Sequence, residues 1–304
     1  MLSHVVHRSL AIISIAFVGL VFATTASHAA IQVQDDRGIT QAWAEPPQRI
    51  VSLLPALSEA VCALGECQRL VGVDRYANYP EQVKKLPKLG GGLDPSIEAV
   101  VALKPDVVLM STSTKATPRL EALGIKVVAL NTQHHADVRR LLAVVARLLG
   151  LESQGTLAQP AGAVSERHWQ TLQAGVKAAA AGVPQRPIKV YFEVSNAPYA
   201  ASASSFIGET LAQLGVLNVV PASLGAFPKI NPEMVVRADP DVIMLSETSW
   251  VQLQQRPGWS QLRALRQGQV CAFKPDEADV LVRPGPRLDQ AAHIMARCLQ
   301  DKVK

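Results

Sequence analysis

The 304-residue chain has few aromatic residues and none of the motifs that mark common catalytic sites. Phe, Trp and Tyr make up 5% of its residues. It contains no G-x-S-x-G nucleophile elbow, no G-x-x-x-x-G-K-[ST] phosphate loop and no H-E-x-x-H zinc motif. These absences argue against an α/β-hydrolase, a P-loop nucleotide-binding protein and a zinc protease. The sequence therefore predicts no catalytic residues.

The chain also lacks an apolar run long enough to cross a bilayer, which takes about 20 residues. Its amino-terminal apolar run, Leu10 to Val21, is shorter, follows Arg8 and precedes Ser27-His28-Ala29, a small-x-small cleavage site. This pattern is typical of an export signal over residues 1–29, and we expect cleavage near Ala29. No cysteine stands at the cleavage site, so we expect a soluble periplasmic protein without a lipid anchor.

Charge of one sign is not concentrated anywhere in the chain. Thirty Lys and Arg residues against 25 Asp and Glu residues give a formal net charge of +5. The basic residues occur singly or in pairs such as Lys84-Lys85 and Arg139-Arg140. A nucleic-acid-binding surface needs clustered basic residues. We therefore predict a mixed, solvated surface and no nucleic-acid partner.

Cysteine is scarce, and all four cysteines follow the export signal. An even number of cysteines in an exported chain favours disulfides over free thiols. Proximity in the sequence pairs Cys62 with Cys67 and Cys271 with Cys298. The alternative is a zinc site, but neither spacing is typical of zinc ligands.

The histidines that follow the export signal do not form a metal-ligand pattern. His134 and His135 are sequence neighbours, whose side chains point apart in regular structure. His168 and His293 lie in segments with helical periodicity. The sequence therefore predicts neither a metal site nor a resident cofactor.

One segment of the chain occurs twice. Residues 97–111, ending Lys-Pro-Asp-Val-Val-Leu-Met-Ser, recur 135 residues later as 232–246, ending Asp-Pro-Asp-Val-Ile-Met-Leu-Ser. Each copy predicts a short helix capped by an Asx-Pro pair, Asp94-Pro95 or Asn231-Pro232, then a turn and a buried strand. A duplicated unit of this kind predicts two similar lobes with a ligand cleft between them.

The order of the predicted elements indicates an α/β fold with two Rossmann-like lobes. Strands and helices alternate on both sides of a long helical segment, as in mostly parallel sheets. We assign residues 30–152 to an amino-terminal lobe, 153–186 to one connector helix and 187–304 to a carboxy-terminal lobe. Pro160 is expected to begin or kink the connector. Because one packed helix resists domain closure, we expect a nearly preformed interlobe cleft.

A charged turn precedes the last predicted helix. Asp279, Arg283 and Arg287 surround the sequence Pro284-Gly285-Pro286. A rigid turn can hold charged side chains at fixed positions, where they could hydrogen-bond the polar edge of a ligand. The alternative is that these charges only decorate the start of a helix.

Five segments together resemble the helical-backbone class of periplasmic binding proteins, which serve importers of cobalamin, haem and iron-siderophores. The segments are PQRIVSLLP (47–55), LVGVDRY (70–76), IEAVVALKPDVV (97–108), LGIKV (123–127) and RPGPR (283–287). The resemblance covers essentially the whole chain after the export signal. It implies a monomeric substrate-binding component of an ABC importer, with a small-molecule ligand, a permease dimer as partner and no enzymatic activity.

Within this class the chain resembles the vitamin B12-binding family, which implies cobalamin or a related corrinoid as ligand. Position-by-position matching implies ligand contacts at Pro55, Tyr76, Tyr199, Phe227, Asp279 and Arg283. Gly92 is also an implied ligand contact. Gly92 and Ser111 stand where that family has cleft tryptophans, so we expect a wider or weaker cleft here. The transporter-docking glutamates of the family match Glu98 and Glu233, which also correspond through the internal repeat.

Three alternatives remain open. A haem protein of the same class needs an axial Tyr or His in many cases, and the candidates are Tyr76, Tyr79 and Tyr199. A binding protein for an anionic ferric siderophore needs converging cations, and the candidates are Arg75, Arg283 and Arg287. An exported enzyme that uses the interlobe cleft would need a nucleophile and base or a metal triad, and the sequence offers neither.

Overall fold

The computed structural model of the chain describes residues 30–152, 162–195, 198–253 and 255–303. The expected export signal, Pro160 and the first part of the expected connector lie outside the described residues. In the described part of the chain, no helix is both long enough and apolar enough to cross a membrane.

The first lobe combines a parallel sheet with flanking helices. Its strands are β1 (Ile31–Gln34), β2 (Thr40–Trp43), β3 (Ile50–Ser52), β4 (Leu70–Val73), β5 (Val107–Ser111) and β6 (Val127–Leu130). Its helices are α1 (Pro55–Ala63), α2 (Glu81–Lys84), α3 (Ile97–Ala102), α4 (Thr117–Ala122) and α5 (His135–Leu148). The main sheet has the order β4-β3-β5-β6 with every pair parallel, and β1 and β2 form a separate antiparallel hairpin.

One described helix, α6 (Ala163–Ala180), connects the lobes. It packs against α5 of the first lobe and against the last helix of the second. A Cβ added to Gly175 would lie 2.5 Å from the Cβ of Asp289, so this glycine allows the connector and that last helix to approach closely. The connector is therefore packed along both lobes.

The second lobe repeats the α/β arrangement. Its strands are β7 (Lys189–Ser195), β8 (Tyr199–Ala200), β9 (Leu217–Asn218), β10 (Val242–Ser246) and β11 (Val270–Phe273). Its helices are α7 (Phe206–Gln213), α8 (Pro232–Ala238), α9 (Glu247–Leu253), α10 (Arg263–Arg266), α11 (Pro275–Leu281) and α12 (Leu288–Lys302). The sheet order is β11-β10-β7-β8, with β9 also on β7 and only β8 antiparallel. The predicted fold class of two mostly parallel α/β lobes is confirmed.

The central parallel strands are buried along most of their length. Ile50, Val51 and Ser52 of β3 are all buried, as are four consecutive residues in β5 and in β10. Strands covered by helices on both faces have no polar side, so their sequences are continuous apolar runs.

The internal repeat is also a structural repeat. Lys104 and Asp239, which correspond through the offset, are the non-glycine residues with positive φ in the described chain, at 46° and 42°. Two residues further on, Asp106 Oδ2 accepts from the backbone NH of Arg49 and Asp241 Oδ2 accepts from that of Lys189, both at 2.8 Å. In each lobe the aspartate therefore ties the repeated strand to its neighbour.

The two repeated helices begin differently. Asn231 caps α8 as predicted, accepting a hydrogen bond from the backbone NH of Glu233 at 2.9 Å. The predicted Asp94-Pro95 cap is wrong, because Ser96 is the N-cap of α3 and its hydroxyl accepts from Ala99 NH. Asp94 instead pairs with Arg75.

Both disulfides follow the pairing that proximity predicts. Cys62 near the end of α1 is bonded to Cys67, and Cys271 in β11 is bonded to Cys298 in α12. All four thiols are thereby consumed, which leaves none as a zinc ligand. The second bond closes the longer loop and fixes the last helix to the edge strand of its sheet.

Candidate functional site

A cavity of about 520 Å³ lies between the lobes. Small-molecule sites typically occupy roughly 300 to 1,000 Å³. From the first lobe it is lined by Leu54, Pro55, Ala56, Tyr76 and Thr132, and from the second by Val194, Phe206, Ile207, Phe227, Asp279, Val282, Arg283 and Pro284. Both lobes therefore contribute to a single site.

The sheets place the cavity at the carboxyl ends of their strands. Pro55 and Tyr76 follow β3 and β4, Thr132 follows β6, and Val194 lies near the end of β7. Ligands of open α/β sheets bind at this edge because the loops that follow the strands meet there.

Most of the cavity wall is apolar. Phe206 and Phe227 pack on each other with ring centroids 5.8 Å apart and their planes tilted by 59°. Phe206 is buried, whereas Phe227 is only partly buried and lines the cavity. The second lobe thus presents an aromatic surface to whatever occupies the cleft.

Tyr76 has a fixed backbone and an exposed side chain. Its NH donates to Asp74 Oδ1 at 2.8 Å, and its carbonyl accepts from Arg283 Nη2 at 2.9 Å. The residue is 62% exposed, and the guanidinium of Arg75 lies 5.8 Å from the centroid of its ring. An exposed aromatic ring on a fixed backbone is suited to stacking on a flat ligand.

The charged groups of the cavity are paired with each other. Arg283 Nη2 lies 2.8 Å from Asp279 Oδ2, and Arg283 Nη1 donates to Asn78 Oδ1 at 2.7 Å. Asn78 in turn donates to Asp279 Oδ2 at 2.7 Å. Among the described residues nothing donates to Asp279 Oδ1, so that oxygen remains available to a ligand.

The sequence analysis missed Glu59, which binds Arg283 and Arg287 from the other lobe. Oε1 of Glu59 accepts from Arg283 Nη1 at 3.0 Å, and Oε2 accepts from Arg287 Nε at 2.8 Å. The signal was present in the sequence: Glu59 is a lone carboxylate in the otherwise uncharged helical run Ala-Leu-Ser-Glu-Ala-Val. A charge on a buried helix face needs a partner.

A second polar network joins the lobes around His135. Its Nε2 lies 3.0 Å from Phe206 O, and since a carbonyl only accepts, Nε2 carries the hydrogen. Nδ1 then accepts from Gln213 Nε2, and the backbone NH of His135 donates to Glu209 at 2.6 Å. His134 also reaches Glu209, at 3.4 Å. The expectation that these neighbours point apart is wrong, because the Nδ1 atoms of both rings lie within 4 Å of the Glu209 carboxylate, at 3.4 Å for His134 and 3.9 Å for His135.

Burial lowers the pKa of His135, and the Glu209 carboxylate opposes this only partly. A folded-state pKa below the unfolded value means that the unfolded chain binds more protons in the interval between them. The neutral imidazole therefore contributes stability that is present above the unfolded pKa of about 6.5 and is lost as the pH falls below it.

We expect the free energy of unfolding to decrease below about pH 6.5, and part of that decrease to disappear in His135→Gln. Urea unfolding at a series of pH values measures this. His293→Gln is the matched control, since His293 is exposed on α12 and should leave the profile unchanged. Identical pH profiles for the wild type and His135→Gln would contradict the assignment.

The structure brings together most, but not all, of the ligand residues implied by the resemblance. Pro55, Tyr76, Phe227, Asp279 and Arg283 line the cavity. Gly92 and Tyr199 are not among its lining residues.

Gly92 packs against neighbouring loops of the first lobe, and Tyr199 lies on a strand of the second lobe. The carbonyl of Gly92 accepts from Thr114 Oγ1 at 2.7 Å, and a Cβ there would meet the carbonyl of Leu53 at 2.8 Å. Tyr199 lies on β8 with an exposed ring. Any contact they make would be with a ligand that extends beyond the cavity.

Arg75, Arg287 and Tyr79 were further candidates for contact with an anionic ligand or with haem iron. They are not among the lining residues of the cavity, and other side chains contact them. Arg75 pairs with Asp94 at 2.6 Å, and the guanidinium of Arg287 lies 4.3 Å from the ring centroid of Tyr79. In the described residues, no three His, Cys, Asp or Glu side chains come together as a metal site.

Glu98 and Glu233 lie outside the cavity in the first turns of α3 and α8. Both are exposed. The only ion pair of Glu98 in the described chain is with Arg119 at 3.5 Å, through two exposed side chains. Both carboxylates are accessible to a partner.

Comparisons with known proteins agree with this arrangement. Residues 50–277 match a family model described as periplasmic binding protein. The "Uncharacterized ABC transporter substrate-binding lipoprotein YvrC" of Bacillus subtilis is 28% identical over 262 residues, covering 83% of this chain and 80% of that protein. The "Vitamin B12-binding protein" of Vibrio cholerae is 25% identical over 247 residues, covering 80% and 85%.

Among solved structures, the periplasmic heme-binding protein BhuT in complex with two hemes is similar, with a TM-score of 0.69 and 25% identity. The match covers 84% of this chain and 99% of that one. These similar proteins are substrate-binding transport proteins, not enzymes. A family match over most of the chain, the two-lobed α/β fold and the interlobe cavity lead to one conclusion: this chain belongs to the periplasmic binding protein family of ABC importers.

Proposed function

We propose that this protein captures cobalamin or a related corrinoid in the interlobe cavity and delivers it to the permease dimer of an ABC importer. It would act as a periplasmic monomer after export and need no cofactor of its own. The observation that carries the choice of ligand is the charge balance of the cavity.

The charged residues that line the cavity, Asp279 and Arg283, neutralise each other. Arg283 also has partners in Glu59, Asn78 and the Tyr76 carbonyl. The part of the cavity wall that the structure describes therefore offers no unpaired cation to an anionic ligand. A corrinoid macrocycle is fringed largely by neutral amides, whereas haem carries two propionates and many ferric siderophores are anionic.

The apolar wall suits the flat part of such a ligand. Tyr76 from the first lobe and Phe227 from the second line the same cavity and can pack on a macrocycle. Asp279 Oδ1 can accept a hydrogen bond from an amide at its edge. A complete cobalamin is larger than the cavity, so its remaining part would project from the cleft toward solvent.

Haem is the second candidate ligand, and one observation favours it. The phenol of Tyr76 is exposed beside the cavity, where a tyrosinate could serve as an axial ligand to iron. In the part of the cavity wall that the structure describes there is no histidine to take that role.

Calorimetric titration of the purified protein with cyanocobalamin, haemin and a ferric hydroxamate separates these ligands. We expect saturable one-to-one binding of cyanocobalamin, weak or no binding of the other two, and a higher unfolding temperature with cyanocobalamin. Cobinamide, which lacks the nucleotide, is the matched ligand that tests whether the corrin ring alone suffices. Saturable haemin binding without any response to cyanocobalamin would refute the corrinoid proposal and favour haem.

A further inference from the structure

One buried carboxylate holds two arginines of the opposite lobe. Glu59 on α1 is 2% exposed. Arg287 binds it through Nε to Oε2 at 2.8 Å and through Nη2 to Oε1 at 2.6 Å, and Arg283 adds a bond to Oε1 at 3.0 Å. Glu59 does not line the cavity. Its contacts therefore require an explanation other than direct ligand binding.

Arg283 connects this carboxylate to both walls of the cavity. While Nη1 binds Glu59, Nη2 donates to the carbonyl of Tyr76 in the first lobe and lies 2.8 Å from Asp279 in the second. Glu59, Asn78 and the Tyr76 carbonyl together fix the position of Arg283, and Glu59 is the charged member of the three. The relative position of Tyr76 and Asp279 is in turn fixed by Arg283.

The lobes are also in close contact beside this network. A Cβ built on Gly285, in the Pro-Gly-Pro turn of the second lobe, would lie 3.3 Å from the Cβ of Ala56 on α1. Arg287 covers the ring of Tyr79 at 4.3 Å. A small outward rotation of one lobe would break the hydrogen bonds and these contacts together.

Among the described residues, Glu59 is the ion-pair partner of Arg287. Arg283 also interacts with the carboxylates of Asp279 and of the buried Asp74. Removing the charge of Glu59 would therefore leave the buried Arg287 guanidinium without a carboxylate, and an unpaired buried charge is costly. Separation of the lobes is the movement that would let water reach these cations.

We propose that Glu59 is a positioning residue that clamps the two lobes together and thereby sets the width of the cavity and its selectivity for ligand. The effect on ligand rests on the proposed function, because it assumes that the cavity binds a corrinoid. The clamp itself is a property of the protein without ligand, so the two parts can be tested separately.

Nitroxide labels on the repeated helices measure the lobe separation directly. Ala102 in α3 and Arg237 in α8 are exposed and correspond through the repeat, so Ala102→Cys with Arg237→Cys gives one label per lobe. We expect a narrow distance distribution by pulsed electron resonance in the otherwise wild-type protein. Glu59→Gln should lengthen and broaden it. A Glu59→Gln distribution that matches the parent would overturn the clamp.

Glu193→Gln is the matched control. Glu193 is also 2% exposed and is held by both terminal nitrogens of Arg256, but both residues belong to the second lobe. Its loss should lower stability and leave the label distance unchanged. An equal change of distance in both variants would overturn the specific role of Glu59.

Arg287→Lys covers the possibility that Glu59→Gln does not fold. Lysine keeps the positive charge but cannot bind the carboxylate through two nitrogens. Circular dichroism should show a folded protein, with a label distribution broader than in the parent. A folded Arg287→Lys protein with the parent distribution would also overturn the clamp.

Titration with cyanocobalamin tests the proposed effect of Glu59 on ligand binding. We expect Glu59→Gln to bind cyanocobalamin at least tenfold more weakly than the parent, and Glu193→Gln to bind it equally well. Unchanged affinity together with a changed label distance would overturn the claim on selectivity. If the parent itself does not bind cyanocobalamin, the proposed ligand fails while the distance measurement still decides on the clamp.

Discussion

Replacing Val282 by tryptophan should weaken cyanocobalamin binding by about tenfold to hundredfold. Val282 lines the cavity and is 37% exposed, so a larger side chain can be accommodated at the surface but occupies space that the ligand needs. Overpacking of a filled site costs about 1 to 3 kcal/mol, or about fivefold to 150-fold in affinity, and the expected range lies within it. Titration calorimetry measures the change.

Val251→Trp is the control for this substitution. Val251 is a valine of the same lobe, 69% exposed on α9 and not part of the cavity wall. The Val251→Trp variant should bind cyanocobalamin with the affinity of the wild type. Wild-type affinity in Val282→Trp would show that the ligand does not occupy this part of the cleft.

Uptake of labelled cyanocobalamin should collapse when Glu98 and Glu233 are both replaced by lysine, while ligand affinity is retained. We propose these exposed carboxylates as docking contacts, one per lobe, for basic residues on the two subunits of the permease. The charge reversal converts two attractive contacts into repulsive ones. Uptake is measured in cells that contain the protein's own permease, and affinity on the purified variant.

The control carries the same change of charge at other places. Glu81 and Asp301 are exposed carboxylates on α2 and α12, one in each lobe. Uptake should be normal in Glu81→Lys with Asp301→Lys. Normal uptake in the Glu98 and Glu233 double variant would leave both glutamates as ordinary residues of a helix start, favourable there to the helix dipole.

The repeat shows why so much of the fold could be predicted. Buried parallel strands have continuous apolar sequences, and short helices between them leave few possible arrangements. The copies 97–111 and 232–246 became equivalent helix-turn-strand units, even at Lys104 and Asp239, where both backbones turn with positive φ. Local sequence was less reliable at the helix start, where Ser96 rather than Asp94 forms the cap.

Residues of the candidate site could be predicted where they directly follow a strand, because the sheet topology then determines where they lie. Pro55 and Tyr76 follow strand ends, and that placement follows from the topology of a parallel sheet. Glu59 could not be paired from the sequence, because its partners Arg283 and Arg287 lie more than 200 residues away and no spacing rule connects them. Resemblance to a family also does not show which residues line the cavity of this protein: Gly92 and Tyr199 match ligand contacts of the family but are not among the lining residues.

The neutral cavity and the charged outer surface differ in their response to ionic strength. Opposite charges within hydrogen-bond distance in a buried network are little affected by dissolved ions, whereas exposed charges are screened within about 10 Å at 0.1 M salt. In the pair Asp279 and Arg283 the arginine is buried and the aspartate partly buried, which brings it close to the first kind, whereas Glu98 and Glu233 belong to the second. Capture of the ligand should therefore proceed almost equally in dilute and in saline surroundings, while its delivery slows as salinity rises.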